Sequence, residues 1–216
     1  MPAYKGVIFD LDGTLLDSMQ IWKNIDIRFF AKRGIDVPED YMESISHMSA
    51  YDTALYTIDR FKLDDTPDEL IEEWISMALE SYANAPLKPG AAKYISLLKN
   101  NGIKIGIATA TEPQIMKAVI ESKKLDDLID IIVYVSEVKR GKGYPDIYFK
   151  CAEKLGLSSE DCLVFEDILK AVKGAKSGNF KVIAVYDDCS LETAEEIKKI
   201  ADDYIYDFNE MIERFK

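Results

Sequence analysis

Apolar positions change their spacing along the chain, and the change separates two kinds of structure. Residues 7–9 form a short continuous apolar run that leads into a turn at Gly13, which is typical of a buried β-strand. Across residues 18–84 the apolar side chains recur every three to four positions, and this spacing predicts about four helices and no strand. From residue 86 onward, short apolar runs alternate with helical patterns.

The alternating part predicts a parallel sheet, because a strand, a helix and a second strand in succession usually place both strands parallel in one sheet. Predicted strands lie at residues 7–9, 103–108, 131–135, 163–165, 182–185 and 204–206, and predicted helices at 91–100, 111 onward, 146–155, 169–177 and 192–200. We therefore expect an α/β fold with a doubly wound, Rossmann-like parallel sheet.

The domain organisation follows from where the two patterns meet. We expect residues 1–16 and 86–216 to form an α/β core, and residues 17–85 to form an α-helical cap inserted after the first strand. The chain would cross between these units near Asp17 and again at residues 84–88, and both crossings are expected to act as hinges.

Two helix starts carry the signature of a capping box, in which a Thr side chain and a Glu or Gln side chain bind each other's backbone N–H groups. One is Thr66-Pro67-Asp68-Glu69, and the other is Thr111-Glu112-Pro113-Gln114. Both also place proline near the first helical position, where its missing N–H has no cost.

Composition narrows the choice of partners. The chain has 216 residues, of which 48% are hydrophobic, so it can bury a sizeable core. Its net charge of −12, with no basic run, argues against nucleic-acid or anionic-membrane partners. Three cysteines without a CxxC spacing are read as free thiols. With no signal-peptide pattern at the N-terminus, we expect a cytoplasmic protein, and we expect a monomer.

The most informative feature is the pair Asp10 and Asp12, which follows the first strand. Ligands bind beyond the carboxyl ends of parallel strands, so both carboxylates are expected where chemistry takes place. Two such close acids repel each other unless a cation or a proton offsets the charge, and a divalent ion with oxygen ligands does so. A solvated turn is the alternative. A calcium loop is disfavoured, because Glu does not stand at the closing position of such a loop.

Three other strand ends carry polar groups, each with an ordinary alternative. Thr109 and Ala110 can offer a hydroxyl and backbone N–H groups to a phosphate, although Thr111 beside them can simply cap a helix. Lys142 lies in a basic loop flanked by glycines, which can also be only a solvated loop. The pair Glu166-Asp167 can bind a cation, or Asp167 can be a helix N-cap. Their joint occurrence on one sheet favours a phosphate and cation site.

With these residues the chain resembles the haloacid dehalogenase-like superfamily of phosphotransferases. It is similar to the branch with a helical cap, which includes β-phosphoglucomutases and phosphoglycolate phosphatase-like proteins. Residues 10–18 match the first motif of the superfamily, Thr109 the second, Lys142 the third and Glu166-Asp167 the fourth. The resemblance covers the full length of the chain.

The resemblance implies a Mg²⁺-dependent phosphatase that hydrolyses a small phosphorylated metabolite, such as a sugar phosphate or a nucleotide. Asp10 would be the nucleophile that forms an aspartyl-phosphate, and Asp12 the general acid and base. Mg²⁺ would be held by the Asp10 carboxylate, the Asp12 backbone carbonyl and Asp167, with Glu166 beside it. Phosphoryl oxygens would be bound by Thr109, Ala110 and Lys142. We also expect Lys142 to lower the pKa of Asp10.

Departures from the family pattern bear on the choice of reaction. Asp12 argues against carbon–halogen cleavage, because the dehalogenases lack this second acid. Gly143 stands where proline is usual after Lys142. The mutases typically carry a histidine where this chain has Trp22, and an arginine near residues 46–51, where this chain has none. A phosphatase is therefore favoured, and a β-phosphoglucomutase-like mutase is the alternative.

Overall fold

The computed structural model describes residues 4–215, in which six parallel strands form one sheet in the order β3-β2-β1-β4-β5-β6. The strands are β1 Gly6–Phe9, β2 Lys104–Thr109, β3 Ile131–Tyr134, β4 Cys162–Glu166, β5 Lys181–Val185 and β6 Asp203–Ile205. Each lies within one residue of its predicted bounds. The doubly wound α/β fold is confirmed.

Four helices lie between β1 and the rest of the sheet, as the period of the apolar residues predicts. They are α1 Met19–Ala31, α2 Tyr41–Ile45, α3 Ala50–Phe61 and α4 Pro67–Asn84. The helices that alternate with the strands are α5 Ala91–Asn100, α6 Pro113–Lys123, α7 Asp146–Leu155, α8 Leu169–Ser177, α9 Ala194–Ile200 and α10 Phe208–Arg214. Within the described part of the chain, none of these helices is long and apolar enough to cross a membrane.

Hydrophobic clusters cover both faces of the sheet, and they fix β1 in its centre. Successive strand residues point to opposite faces. Phe9 therefore lies in one cluster, where its ring stacks on Phe165 at 5.0 Å between centroids, while Ile8 lies in the other. β1 is paired with β2 on one side and β4 on the other. The residue that follows Phe9 is thus held at the middle of the sheet's carboxyl edge.

Helix α10 is absent from the predicted elements, because its amphipathic pattern spans only seven residues. In the structure the Asp207 side chain caps it by accepting a hydrogen bond from the Asn209 N–H at 2.8 Å. Phe208, Met211 and Ile212 are buried at helical spacing, and the helix packs against α5. It closes one side of the core.

Of the two predicted capping boxes, the structure contains one. Thr66 and Glu69 form theirs at the start of α4. The prediction for Thr111 is wrong, because α6 begins at Pro113 and its N-cap is Glu112, which makes no side-chain capping bond. Thr111 stands one residue too early to reach the free N–H groups of the helix. Its hydroxyl donates instead to the carboxylate of Asp12.

The two connections between the four-helix block and the sheet run side by side. The Asp17 N–H donates to the Pro86 carbonyl at 2.9 Å, and the Lys88 N–H donates to the Leu15 carbonyl at 2.8 Å. Each connection is therefore hydrogen-bonded to the other. The bounds of the cap and its hinges stay predictions.

Candidate active site

The loop after β1 places Asp10 and Asp12 through a tight turn that requires glycine. Gly13 has φ of +78°, and a Cβ atom there would lie only 2.2 Å from Oδ2 of Asp167. Glycine alone combines this backbone conformation with so close an approach. The Asp10 N–H donates to the Phe165 carbonyl at 3.0 Å, which ties the start of the loop to β4.

Lys142 lies between two carboxylates at this edge. Its ammonium group donates to Oδ1 of Asp10 and contacts Oε1 of Glu166 at 2.6 Å, and all three side chains are buried. The Tyr148 hydroxyl also donates to Oε1 of Glu166, at 2.7 Å. The lysine loop and two strand ends therefore meet, as the sequence predicts, although Tyr148 on α7 gave no sequence signal of its part in the site.

A third carboxylate leaves the cluster with excess negative charge. Asp167 accepts a hydrogen bond from the Thr14 hydroxyl at 3.1 Å through Oδ1. Its Oδ2 atom and Oε2 of Glu166 are buried and have no hydrogen-bond partner among residues 4–215. One carboxylate oxygen from each of Asp10, Glu166 and Asp167 lies within 4.8 Å of the others. A divalent cation fits such a set, because it needs oxygen ligands and compensates the remaining charge.

Burial is the largest influence on the pKa values of Asp10 and Asp167. It raises the pKa of Asp10 to about 6; Lys142 acts in the opposite direction and Glu166 adds to the rise. The lysine thus lowers the pKa of Asp10 as expected, but less than burial raises it. Burial, followed by the charges of Asp10 and Glu166, raises the pKa of Asp167 well above its usual range. Burial disfavours the charged ammonium of Lys142, yet Asp10 and Glu166 outweigh it and raise the pKa of Lys142.

Asp12 is held by three hydroxyl groups from separate parts of the chain. Ser18, just before α1, donates to Oδ1 at 2.6 Å, and Tyr82 of α4 donates to the same oxygen at 2.5 Å. Thr111 donates to Oδ2. Burial and the neighbouring Asp10 raise the pKa of Asp12, while the three hydroxyls oppose this rise. The helical block and the core therefore both set the orientation and the proton affinity of one carboxyl.

Sequence reasoning missed the contacts of Tyr82 and Thr111 for different reasons. Thr111 lies at a predicted strand end, but its capping signature offers a second explanation for the hydroxyl. Tyr82 lies 70 positions from Asp12 in the chain, and no local pattern indicates that α4 returns to the site. Neither contact with Asp12 can be inferred before the packing of the helices is known.

Of the three residues predicted to bind phosphate, two line the cavity and one does not. The Thr109 hydroxyl is buried and accepts a hydrogen bond from the Thr111 N–H at 2.9 Å, which shapes the loop after β2. Ala110 and Lys142 line the cavity above Asp10 and Asp12, whereas Thr109 does not. The roles of these residues in binding phosphate stay predictions.

The four-helix block is closed over this edge, with a cavity of about 130 Å³ between them. Lys170 at the start of α8 lies 2.9 Å from Nε2 of His47, which belongs to the block. Burial and the charge of Lys170 lower the pKa of His47. A Cβ atom at Gly141 would lie 2.3 Å from the His47 carbonyl oxygen. The lysine loop therefore needs glycine where the block rests on it.

The fold and the site together define a class of hydrolytic α/β enzyme that acts on phosphate esters. The chain belongs to the haloacid dehalogenase-like hydrolases, whose family model matches residues 7–185. Among curated relatives, it is 25% identical over 181 residues to hexitol phosphatase B of Escherichia coli, covering 82% of each chain. It is also 25% identical over 181 residues to a phosphorylated carbohydrates phosphatase of Thermotoga maritima, covering 83% of each.

Solved structures agree on the fold. A β-phosphoglucomutase from Clostridium difficile superimposes with a TM-score of 0.81 at 22% identity, covering 96% of this chain and 92% of that one. At this identity the likeness shows the shared fold. With the family match, it confirms the resemblance read from the motifs, and the chain is a phosphatase of this family.

We predict that Gly141→Ala weakens closure of the helical block, because its new methyl group would collide with the His47 carbonyl oxygen. The expected result is a fall in kcat/KM of roughly ten- to a hundredfold toward a phosphate ester, since small displacements of a closing element misplace the reacting groups. Steady-state kinetics measures this.

The matched control is Gly143→Ala in the same loop. A Cβ atom there meets the Lys170 side chain at 3.4 Å, an ordinary contact. We expect its kcat/KM to stay within about twofold of the wild type, because no atom has to move. Equal effects of the two substitutions would contradict the contact with His47 as the reason.

Proposed function

We propose that this phosphatase hydrolyses a small phosphate monoester with Mg²⁺, through an aspartyl-phosphate on Asp10. The candidate substrates are sugar phosphates, nucleotides and similar metabolites. The observation that carries the proposal is the buried group of Asp10, Lys142, Glu166 and Asp167, in which one carboxylate borders the cavity while the orphaned oxygens of two others lie close by.

Two displacements at phosphorus make up the proposed reaction. In the first, an Asp10 carboxylate oxygen attacks phosphorus and the ester P–O bond breaks, while Asp12 gives its proton to the leaving oxygen. In the second, Asp12 removes a proton from water, the water oxygen attacks phosphorus, and the Asp10–phosphate bond breaks to release inorganic phosphate. A covalent step of this kind replaces one difficult displacement with two easier ones. The raised pKa of Asp12 suits a group that must begin the cycle protonated.

Positive charge at the phosphoryl group supplies most of the remaining catalysis, because phosphoryl transfer depends on positioning and charge neutralisation. Lys142 would bind a phosphoryl oxygen and hold Asp10 in place. The Ala110 backbone and Thr109 would complete the phosphate site. Mg²⁺ would be held by Asp10, Asp167 and the Asp12 backbone carbonyl, with Glu166 beside it, and when bound it neutralises charge on the transferring phosphoryl group.

The relatives favour a sugar or polyol phosphate as the substrate. Both curated phosphatases named above act, by their names, on hexitol or carbohydrate phosphates. The cap of residues 17–85, its hinges, a monomeric state, a cytoplasmic location and the lack of nucleic-acid or membrane partners stay predictions.

We predict that Mg²⁺ raises the melting temperature of the wild type by about 5–10 °C at a hundredfold excess over its dissociation constant, because it binds only the folded chain. Asp167→Asn should lose this shift, whereas Asp188→Asn, on an exposed side chain at the same edge of the sheet, should keep it. Differential scanning fluorimetry measures the shift.

Turnover gives a separate check on the same site. Asp10→Asn should abolish phosphate release while the protein stays folded, because the amide has the same shape but cannot attack phosphorus. Ca²⁺ should raise the melting temperature yet inhibit turnover, since it takes more ligands at longer distances. Full activity after removal of metal with EDTA, or Asp10→Asn activity within about tenfold of wild type, would contradict the proposal.

We also predict hydrolysis rather than mutase activity. A mutase must keep water from its phosphoenzyme until a sugar phosphate returns. Here Trp22 packs edge-on against Tyr82 at 5.7 Å, and Tyr82 binds Asp12, so the general base is already held in place by the block. Given β-glucose 1-phosphate and a trace of the 1,6-bisphosphate, the enzyme should release inorganic phosphate. Glucose 6-phosphate appearing much faster would favour the mutase.

A further inference from the structure

The cavity next to Asp10 and Asp12 extends between the helical block and the core, and its walls are mostly apolar. Three methionines, one tryptophan and two isoleucines supply much of this lining: Met19, Trp22, Met42, Ile45, Met48 and Ile168. A leaving group attached to a phosphate at Asp10 must occupy this space. Polar groups that face it are therefore the groups that can distinguish one ester from another.

Two polar side chains of this cavity are buried without a partner. Asp26 of α1 is only 4% exposed and Trp74 of α4 only 5%, and both line the cavity. Within residues 4–215, neither Oδ2 of Asp26 nor Nε1 of Trp74 has a hydrogen-bond partner. Burial raises the pKa of Asp26 to about 7. In the described part of the chain, Oδ2 of this carboxyl has no partner that would offset the rise.

These two groups belong to one contact between helices. Asp26 lies one turn before Phe29 on the same face of α1, and the Phe29 ring packs on the Trp74 ring at 5.4 Å between centroids. The block thus brings one unfilled acceptor and one unfilled donor to the same cavity. An apolar pair would make the block more stable, because an unpaired buried polar group costs free energy. A ligand that hydrogen-bonds to both groups explains the pair better.

We propose that Asp26 and Trp74 form a second recognition point, which binds a hydroxyl group of the leaving group at a distance from the phosphate. The hydroxyl donates to the Asp26 carboxyl and accepts from the Trp74 indole N–H. This proposal rests on the proposed phosphatase function and narrows its substrate class to phosphate monoesters whose leaving group carries a hydroxyl distant from the phosphate.

The chemistry of the pair selects a hydroxyl over other groups. A hydroxyl is both donor and acceptor, so a single group satisfies both side chains. An ammonium group has three donors and no acceptor, and it would leave the indole N–H unpaired. A methyl group would satisfy neither. An ordered water molecule could also bridge the pair, and the experiment separates this case, because a structural water does not alter the ranking of substrates.

The test compares three series of phosphate esters: ω-hydroxyalkyl, ω-aminoalkyl and n-alkyl phosphates. Each series has chains of two to six carbons, so that esters of equal length can be compared. At one length the wild type should prefer the hydroxyl ester over the alkyl ester by roughly ten- to a hundredfold in kcat/KM, the range expected when a buried polar pair is left unfilled. The amino ester should not exceed the hydroxyl ester. A preference for the amino ester, or none at all, overturns the proposal.

Substitutions then test whether Asp26 and Trp74 cause the preference for the hydroxyl ester. Asp26→Leu and Trp74→Phe remove the acceptor and the donor with little change of shape. Each should bring the hydroxyl-to-alkyl ratio to within about threefold of one, and the double variant should lower it no further, because both groups bind one hydroxyl. Additive losses, or ratios that stay at the wild-type value, count against a shared hydroxyl. Asp36→Asn, on an exposed side chain of the same block, is the matched control and should keep the ratio.

Two further readouts separate the possible failures. Asp26→Leu should raise the melting temperature of the free protein by about 2–4 °C, as expected where a residue serves a ligand rather than the fold. A fall would show that Asp26 is structural. Release of phosphate from an aryl ester tests the phosphatase itself. If the aryl ester is hydrolysed but the hydroxyl ratio is near one, the recognition point alone is wrong; if no ester is hydrolysed, both proposals fail.

Discussion

The site depends on one buried ammonium group shared between carboxylates. Lys142 binds Asp10 and Glu166 at the centre of the sheet's carboxyl edge, where burial alone would push Asp10 toward its neutral form. Removing the lysine would leave both carboxylates without compensation, and breaking a buried ion pair in this way typically costs about 3–5 kcal/mol. The position of the lysine is therefore a condition for the fold of this edge as well as for its chemistry.

Close backbone contacts fix that position. A Cβ atom at Gly174 of α8 would lie 2.0 Å from the Lys142 carbonyl oxygen, so the helix is pressed against the lysine loop from the core side. On the other side, Gly141 supports the His47 carbonyl of the helical block. Because the loop is held between two packed elements, closing the block and positioning the lysine are parts of one arrangement. The same block supplies Tyr82 to Asp12.

The buried carboxyl of Asp26 lowers the stability of the fold near neutral pH. For Asp26 the folded chain holds the proton more tightly than the unfolded chain does, since its pKa rises from 3.8 to about 7. Its contribution to stability is present below about pH 4 and is lost as the pH rises toward 7. A carboxyl kept under these conditions without a partner is expected at a ligand site rather than in a core chosen for stability alone.

The sequence predicts the sheet and part of the site, but not the contacts made by the helical block. The strand bounds and the meeting of Asp10, Lys142 and Glu166 follow from apolar runs and strand ends, because parallel strands deliver their carboxyl ends to one edge. The partners of Asp12 and the unpaired Asp26 could not be predicted. They depend on how four helices rotate about their axes when they pack, and amphipathic spacing does not determine that rotation. Helix α10 was missed because its pattern spans only two turns.

The most direct test of this account is to trap the covalent enzyme. The protein would be mixed with a ³²P-labelled phosphate ester and Mg²⁺, quenched in acid during turnover, and digested for peptide mapping. We expect one labelled peptide, containing Asp10, with the label released by hydroxylamine as for an acyl phosphate, and no label in Asp10→Asn. Label on His47 or any other residue, or turnover without label at any quench time, would contradict Asp10 as the nucleophile.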